Sequence, residues 1–84
     1  MKKIWYDDAW EDYLEWQTVD KKNFKRINKL IKEIDRQGHE GIGEPEPLKH
    51  ELAGWWSRRI DKQHRLVYRI IEDEIEIVQC KGHY

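Results

Sequence analysis

A ten-residue segment rich in glycine and proline, GHEGIGEPEP at 38–47, divides this chain into two parts with different hydrophobic periodicity. Three glycines and two prolines exclude a regular helix from the segment. Before it, apolar residues recur at the three- and four-residue spacing of helices, and after it they alternate as in strands. The pattern therefore predicts an α+β fold, with helices packed against a small sheet.

The part before this segment contains two candidate helices. The second, residues 21–37, has one clearly apolar face, formed by Phe24, Ile27, Leu30, Ile31 and Ile34. Asp20 is a suitable N-cap for it and Gly38 a suitable stop. In the first helix, DDAWEDYLEWQTV, one stripe at helical spacing contains Trp10, Tyr13, Leu14 and Gln17. The two helices are expected to form a hairpin.

Four segments have the composition of strands, namely 2–6, 55–60, 64–71 and 74–80. Short turns at 61–63 and around Asp73 join the last three into an antiparallel meander. In its middle strand, Leu66, Tyr68 and Ile70 point to one face, and Arg65, Val67 and Arg69 point to the other. We expect residues 1–84 to form a single domain with an N-terminal strand, a two-helix hairpin and a three-stranded antiparallel meander.

Composition narrows the functional classes. The single cysteine, Cys80, allows no intramolecular disulfide, which fits a cytoplasmic protein. The four histidines do not have the spacing of metal ligands, so neither a metal nor another cofactor is expected. No apolar run approaches the roughly 18 residues that a membrane span needs.

The charge is distributed in blocks. A net charge of −1 argues against simple electrostatic binding of nucleic acid. However, residues 20–36 contain seven basic and three acidic side chains, and residues 58–69 contain five basic and one acidic. Such blocks are typical either of docking sites for a polyanion or of ordinary solvated faces.

The residues that can carry chemistry lie in the second half of the chain. Glu46 stands between two prolines, Arg65 begins a strand, and His83 follows the last strand. A carboxylate, a guanidinium and an imidazole suffice to cleave RNA through its ribose 2′-hydroxyl without a metal. From the residues alone, the competing interpretation is a solvated Glu46 and ion-paired or edge-protecting arginines at positions 58 and 59, and His39 is expected at the surface.

Several motifs in combination identify a family. The segment EPEPLKHELAGWWSRRIDKQHRLVYRI at 44–70 and the final HY resemble the YoeB family of bacterial toxins, within the RelE/ParE superfamily. The segment KKIWYDDAWEDYLEWQTVDKKNFKRINKLIKEI at 2–34 is also similar to YoeB, so that the resemblance covers nearly the whole chain.

The resemblance implies a RelE/ParE-like fold, related to microbial RNases, and a metal-independent endoribonuclease that cuts mRNA in the ribosomal A site. Glu46 would be the general base, Arg65 the stabiliser of the phosphorane and His83 the general acid, although the acid and base roles can be exchanged. Tyr84 would orient the substrate, and Lys49 and Arg59 would bind phosphates. The implied partners are mRNA on the ribosome, a YefM-like antitoxin and a second copy of the chain. The basic residues 21–36 are expected to contact either ribosomal RNA or that second copy.

Two other functions remain open at this point. A ParE-type toxin shares the architecture but inhibits DNA gyrase by binding, without cutting RNA. The chain would then not need Glu46, Arg65 and His83 together. A third possibility is an interaction module whose basic face binds an acidic protein segment.

Overall fold

The computed structural model describes residues 1–83 and contains the predicted strand, helix hairpin and meander in the predicted order, together with a short strand and a 3₁₀ turn that were not predicted. They are β1 (Lys2–Trp5), α1 (Asp7–Val19), α2 (Lys21–Gln37), β2 (Glu46–Pro47), a 3₁₀ turn (His50–Leu52), β3 (Trp56–Arg59), β4 (Arg65–Ile71) and β5 (Glu74–Gln79). The predicted α+β class and the β3–β4–β5 meander are confirmed.

The sheet is mixed, with the strand order β1-β5-β4-β3-β2. β1 runs parallel to β5, and every other pair is antiparallel. The prediction that 38–47 is entirely loop was wrong at its end, where Glu46 pairs with Ser57 and Pro47 with Trp56. Proline is tolerated there because β2 is an edge strand.

Helix α2 forms as its sequence predicts. The Asp20 carboxylate accepts hydrogen bonds from the backbone N–H groups of Lys22 and Asn23, and the N–H of Gly38 donates to the carbonyl of Ile34. Its apolar face is buried against the sheet, together with Leu66, Tyr68, Ile75 and Ile77. Capping and burial therefore favour the same helix.

Helix α1 does not bury the apolar stripe that its sequence predicts. Its buried residues are Ala9 and Trp16, while the side chains of Trp10 and Leu14 remain 42% and 41% exposed. Trp10 stacks with Tyr13 at a ring-centroid distance of 5.6 Å, at the edge of an aromatic cluster outside the main core. Trp10 and Leu14 thus form an exposed apolar surface on α1.

Arg58 lies on the core face of β3 and is completely buried. Its guanidinium donates to the Tyr68 hydroxyl and to three backbone carbonyls, those of Gly38, Glu40 and Ile42. These bonds fasten the segment after α2 to the sheet, just ahead of Glu46. Within residues 1–83, no helix is long and apolar enough to cross a membrane.

Candidate functional site

The face of the sheet opposite the helices brings together three of the six candidate residues, Glu46, Arg59 and Arg65. Directly paired residues of neighbouring strands share a face, as do residues two apart along one strand. Glu46 pairs with Ser57, and Arg59, two residues further along β3, pairs with Arg65 at the start of β4. From strand spacing and rise, the Cα atoms of Glu46 and Arg65 lie roughly 12 Å apart. Long side chains can reach across the space between them.

The two arginines have different environments. The Arg59 side chain, 43% exposed, forms an ion pair with Glu44 at 3.2 Å. Exposed pairs of this kind contribute little free energy, so that an anionic ligand can displace the carboxylate. Arg65 is half-buried and donates to the carbonyl of Asp61 at 3.2 Å, which restrains its side chain. Arg59 is therefore the more adaptable cation and Arg65 the more fixed one.

Glu46 and Lys49 line one shallow cleft of about 430 Å³ at the edge of the sheet. Both side chains are exposed, and His50, at the start of the 3₁₀ turn, lines the same cleft. Leu48 lies between Glu46 and Lys49 in the sequence, and its backbone is anchored because its N–H donates to the carbonyl of Trp55. The cleft thus combines a carboxylate and an ammonium on backbone that β3 holds in place.

The segment after β5 returns to the start of β4. The N–H of Arg65 donates to the carbonyl of Gly82 at 3.0 Å, so the peptide that precedes His83 is fixed at the start of β4. The side chain of His83 is exposed there. Tyr84, the last residue of the candidate site, lies outside the described residues.

The turn between β3 and β4 is organised by Asp61. Its carboxylate accepts hydrogen bonds from the Asn23 amide and from the backbone N–H groups of Gln63 and His64. Burial raises the pKa of Asp61, but these hydrogen bonds outweigh burial and the pKa is lowered overall. The ionised carboxylate therefore holds the turn from which Arg65 emerges.

The sheet face, the cleft and the segment after β5 together offer a carboxylate, several cations and an imidazole, groups that are suited to proton transfer at a phosphodiester. Among residues 1–83, no group of three or more histidine, cysteine or acidic side chains is placed to hold a metal ion. Sequence reasoning did not predict the supporting contacts of Arg58, Trp16 and His64, because the partners of these residues are distant in the chain. The sequence signal for the burial of Arg58 is the alternation along β3, which places Arg58 on the same face as Trp56.

Comparisons with known proteins agree with this fold. Residues 5–84 match the model of a family described as YoeB-like toxin of bacterial type II toxin–antitoxin system. The toxin YoeB of Escherichia coli K12 is 54% identical, with all of both chains covered. A YoeB/ParE toxin from Agrobacterium tumefaciens has a TM-score of 0.97 at 44% identity, also with both chains fully covered.

The YoeB of Staphylococcus aureus has been solved both as a dimer and in a heterotetrameric complex with YefM. Each structure has a TM-score of 0.94 at 49% identity and covers 100% of this chain and 98% of the other. Fold and similarity thus define a toxin of a bacterial type II toxin–antitoxin system. Within that class, the chain belongs to the YoeB family.

Proposed function

We propose that this toxin is a ribosome-dependent endoribonuclease that cleaves mRNA in the ribosomal A site and so stops translation. The observation that carries the proposal is the convergence of Glu46, Arg59 and Arg65 on one face of the sheet, with the peptide before His83 hydrogen-bonded to Arg65. Membership of the YoeB family supports the same function.

The reaction needs no metal. Glu46 takes the proton from a ribose 2′-hydroxyl, and the 2′ oxygen attacks the adjacent phosphorus. Arg65 stabilises the added negative charge, while Arg59 and Lys49 bind neighbouring phosphates. The bond from phosphorus to the 5′ oxygen breaks, and His83 protonates that oxygen. The products are a 2′,3′-cyclic phosphate and a 5′-hydroxyl.

Tyr84 is proposed to orient the substrate next to His83. Its role can be separated from that of His83 by comparing Tyr84→Phe with Tyr84→Ala. A role of the hydroxyl predicts that both variants lose activity, whereas a role of the ring in stacking predicts that Tyr84→Phe stays active.

A second surface is proposed to contact ribosomal RNA. Lys22, Lys25, Arg26 and Lys29 line a groove on α2. Phosphate contacts by such side chains position a protein without reading sequence. Charge reversal at Lys25 and Lys29 is expected to weaken ribosome binding, and unchanged binding would exclude this role.

The partners are proposed by analogy with the S. aureus protein. A YefM-like antitoxin would block the cleft, and a second copy of the chain would form a homodimer in the cytoplasm. The apolar surface left by Trp10 and Leu14 on α1 is available for one of these contacts. Sedimentation of the toxin alone and with its antitoxin would test both assemblies.

The central experiment uses ribosomes that carry a defined mRNA and an empty A site. Primer extension on the wild type should show one cut in the A-site codon, with a cyclic or 3′-phosphate on one end and a hydroxyl on the other. An mRNA with a single 2′-deoxynucleotide at the attacking position should not be cut there, because it lacks the nucleophile.

Variants assign the roles. Glu46→Gln and His83→Ala should each slow cleavage by about 10²-fold or more, the usual contribution of a general acid or base. Glu51→Gln, which changes an exposed glutamate in the neighbouring 3₁₀ turn, is the matched control and should cut normally. If the wild type binds ribosomes without cutting but inhibits supercoiling by gyrase, the ParE-type function replaces this proposal.

A further inference from the structure

Two side chains far away in the sequence hold the segment after β5. The indole N–H of Trp16, on α1, donates to the carbonyl of Cys80 at 2.9 Å. Two residues later, the N–H of Gly82 donates to Nδ1 of His64 at 2.8 Å. Together with the bond from Arg65 N–H to the Gly82 carbonyl, three hydrogen bonds fix this segment.

The hydrogen bond from the Gly82 N–H defines the tautomer of the His64 ring. A backbone N–H can only donate, so Nδ1 of His64 must accept, and the proton of the neutral ring is on Nε2. The ring packs edge-on against Trp16, with centroids 4.9 Å apart and an interplanar angle of 78°. Each anchoring side chain therefore supports the other.

Gly82 is suited to this geometry. Its φ of +80° lies in the left-handed region, which glycine adopts without strain. In this conformation its N–H reaches His64 while its carbonyl reaches the backbone of Arg65. The next residue is His83, so only the dihedral angles around one peptide separate the last anchor from the proposed acid.

We infer that His64 is a positioning residue, which sets the place of His83 by accepting the hydrogen bond from Gly82. The inference rests on the proposed function, because positioning matters only where His83 takes part in catalysis. Loss of the anchor leaves the Gly82 peptide with the single bond to Arg65. A displacement of about 1 Å in a catalytic group can cost about 10²-fold in rate.

Two substitutions separate the hydrogen bond from ring packing. His64→Phe keeps a flat ring against Trp16 but has no acceptor. His64→Asn lacks the full ring but can place its Oδ1 close to the position of Nδ1. The neighbouring Gln63→Ala, at an exposed position of the same turn, is the matched control.

Each variant is measured in two ways. Single-turnover cleavage on ribosomes with an empty A site, at saturating toxin, gives the rate of the chemical step. Hydrogen exchange of the Gly82 amide, followed by NMR on the free toxin, reports the anchor itself. His64→Phe should cut about 10- to 100-fold more slowly with unchanged ribosome binding, and its Gly82 amide should exchange faster. His64→Asn should recover most of both losses, and Gln63→Ala should match the wild type.

The inference would be overturned if His64→Phe cleaved mRNA and exchanged its Gly82 amide proton at the same rates as the wild type. Equal losses in His64→Phe and His64→Asn would also overturn it, since ring packing rather than the acceptor would then matter. If the wild type does not cut at all, the proposed function fails. In that case the exchange data still decide separately whether His64 anchors Gly82.

Discussion

Replacing the buried Arg58 tests how the segment that precedes Glu46 is held. The guanidinium is fully buried and makes four hydrogen bonds. The acceptors are the Tyr68 hydroxyl at 3.1 Å and the carbonyls of Ile42 at 2.9 Å, Gly38 at 2.7 Å and Glu40 at 2.9 Å. Arg58→Met keeps an unbranched apolar stem of similar width and removes all four donors.

The expected loss of stability follows from two opposing contributions. Removing the guanidinium leaves four acceptors without their donor, and each buried acceptor left unsatisfied costs about 1–3 kcal/mol, or about 4–12 kcal/mol for four. Burying a guanidinium costs several kcal/mol, and methionine avoids that cost. The free energy of unfolding of Arg58→Met should therefore decrease by about 3 kcal/mol.

Urea titration followed by tryptophan fluorescence measures this difference. Arg59→Met is the matched control, because it removes the adjacent arginine, whose side chain is 43% exposed and forms an ion pair with the exposed Glu44. The control should change stability by no more than about 0.5 kcal/mol. If Arg58→Met costs under about 1 kcal/mol, or no more than the control, the argument that Arg58 clamps this segment is refuted.

Three further predictions concern the core and its titrating groups. Trp16→Phe removes the donor to the buried Cys80 carbonyl, so urea titration should show a loss of about 1–3 kcal/mol, and a loss near zero would contradict the hydrogen bond. Burial raises the pKa of the Cys80 thiol to about 12. Iodoacetamide at pH 8 should therefore alkylate Cys80 in the urea-unfolded protein and leave it unmodified in the folded protein. Equal rates of alkylation in the two states would show that the thiol of the folded protein is accessible. Burial, together with the charge of Arg58, lowers the pKa of His39. The unfolded chain then binds a proton there more readily than the folded protein, so stability should fall as the pH drops below about 6.5. His39→Phe, which keeps a ring stacked on Trp56, should make stability depend less on pH between 7 and 5, and an unchanged pH dependence would rule out this contribution.

Local signals were sufficient for α2 and insufficient for α1. In α2, the Asp20 cap, the Gly38 stop and one apolar face all favour the same helix, and its burial agrees. In α1, aromatic residues occur on several sides, and spacing alone selected the stripe with Trp10 instead of the buried Trp16. The difference arises because Trp16 is buried by partners that only tertiary structure supplies.

The loop after α2 shows a second limit of local reasoning. Alternation along β3 places Arg58 on the core face with Trp56, but it cannot show that loop carbonyls satisfy a buried guanidinium. His39 was also wrongly expected at the surface, because the sequence does not show which side chains a loop residue contacts. It is half-buried and stacks on Trp56 with ring centroids 4.0 Å apart.

The placement of His83 depends most on contacts that the sequence does not display. β5 ends at Gln79, and an unanchored extended chain could carry His83 roughly 13 Å from that point. Such a segment would sample many positions and would place an acid poorly, because catalysis requires a defined geometry. The hydrogen bonds from Trp16 to Cys80 and from Gly82 to His64 leave a single peptide between the last of these anchors and His83. The sequence thus predicts His83 as a candidate acid, but side chains of α1 and of the turn before β4 hold the backbone that leads to it.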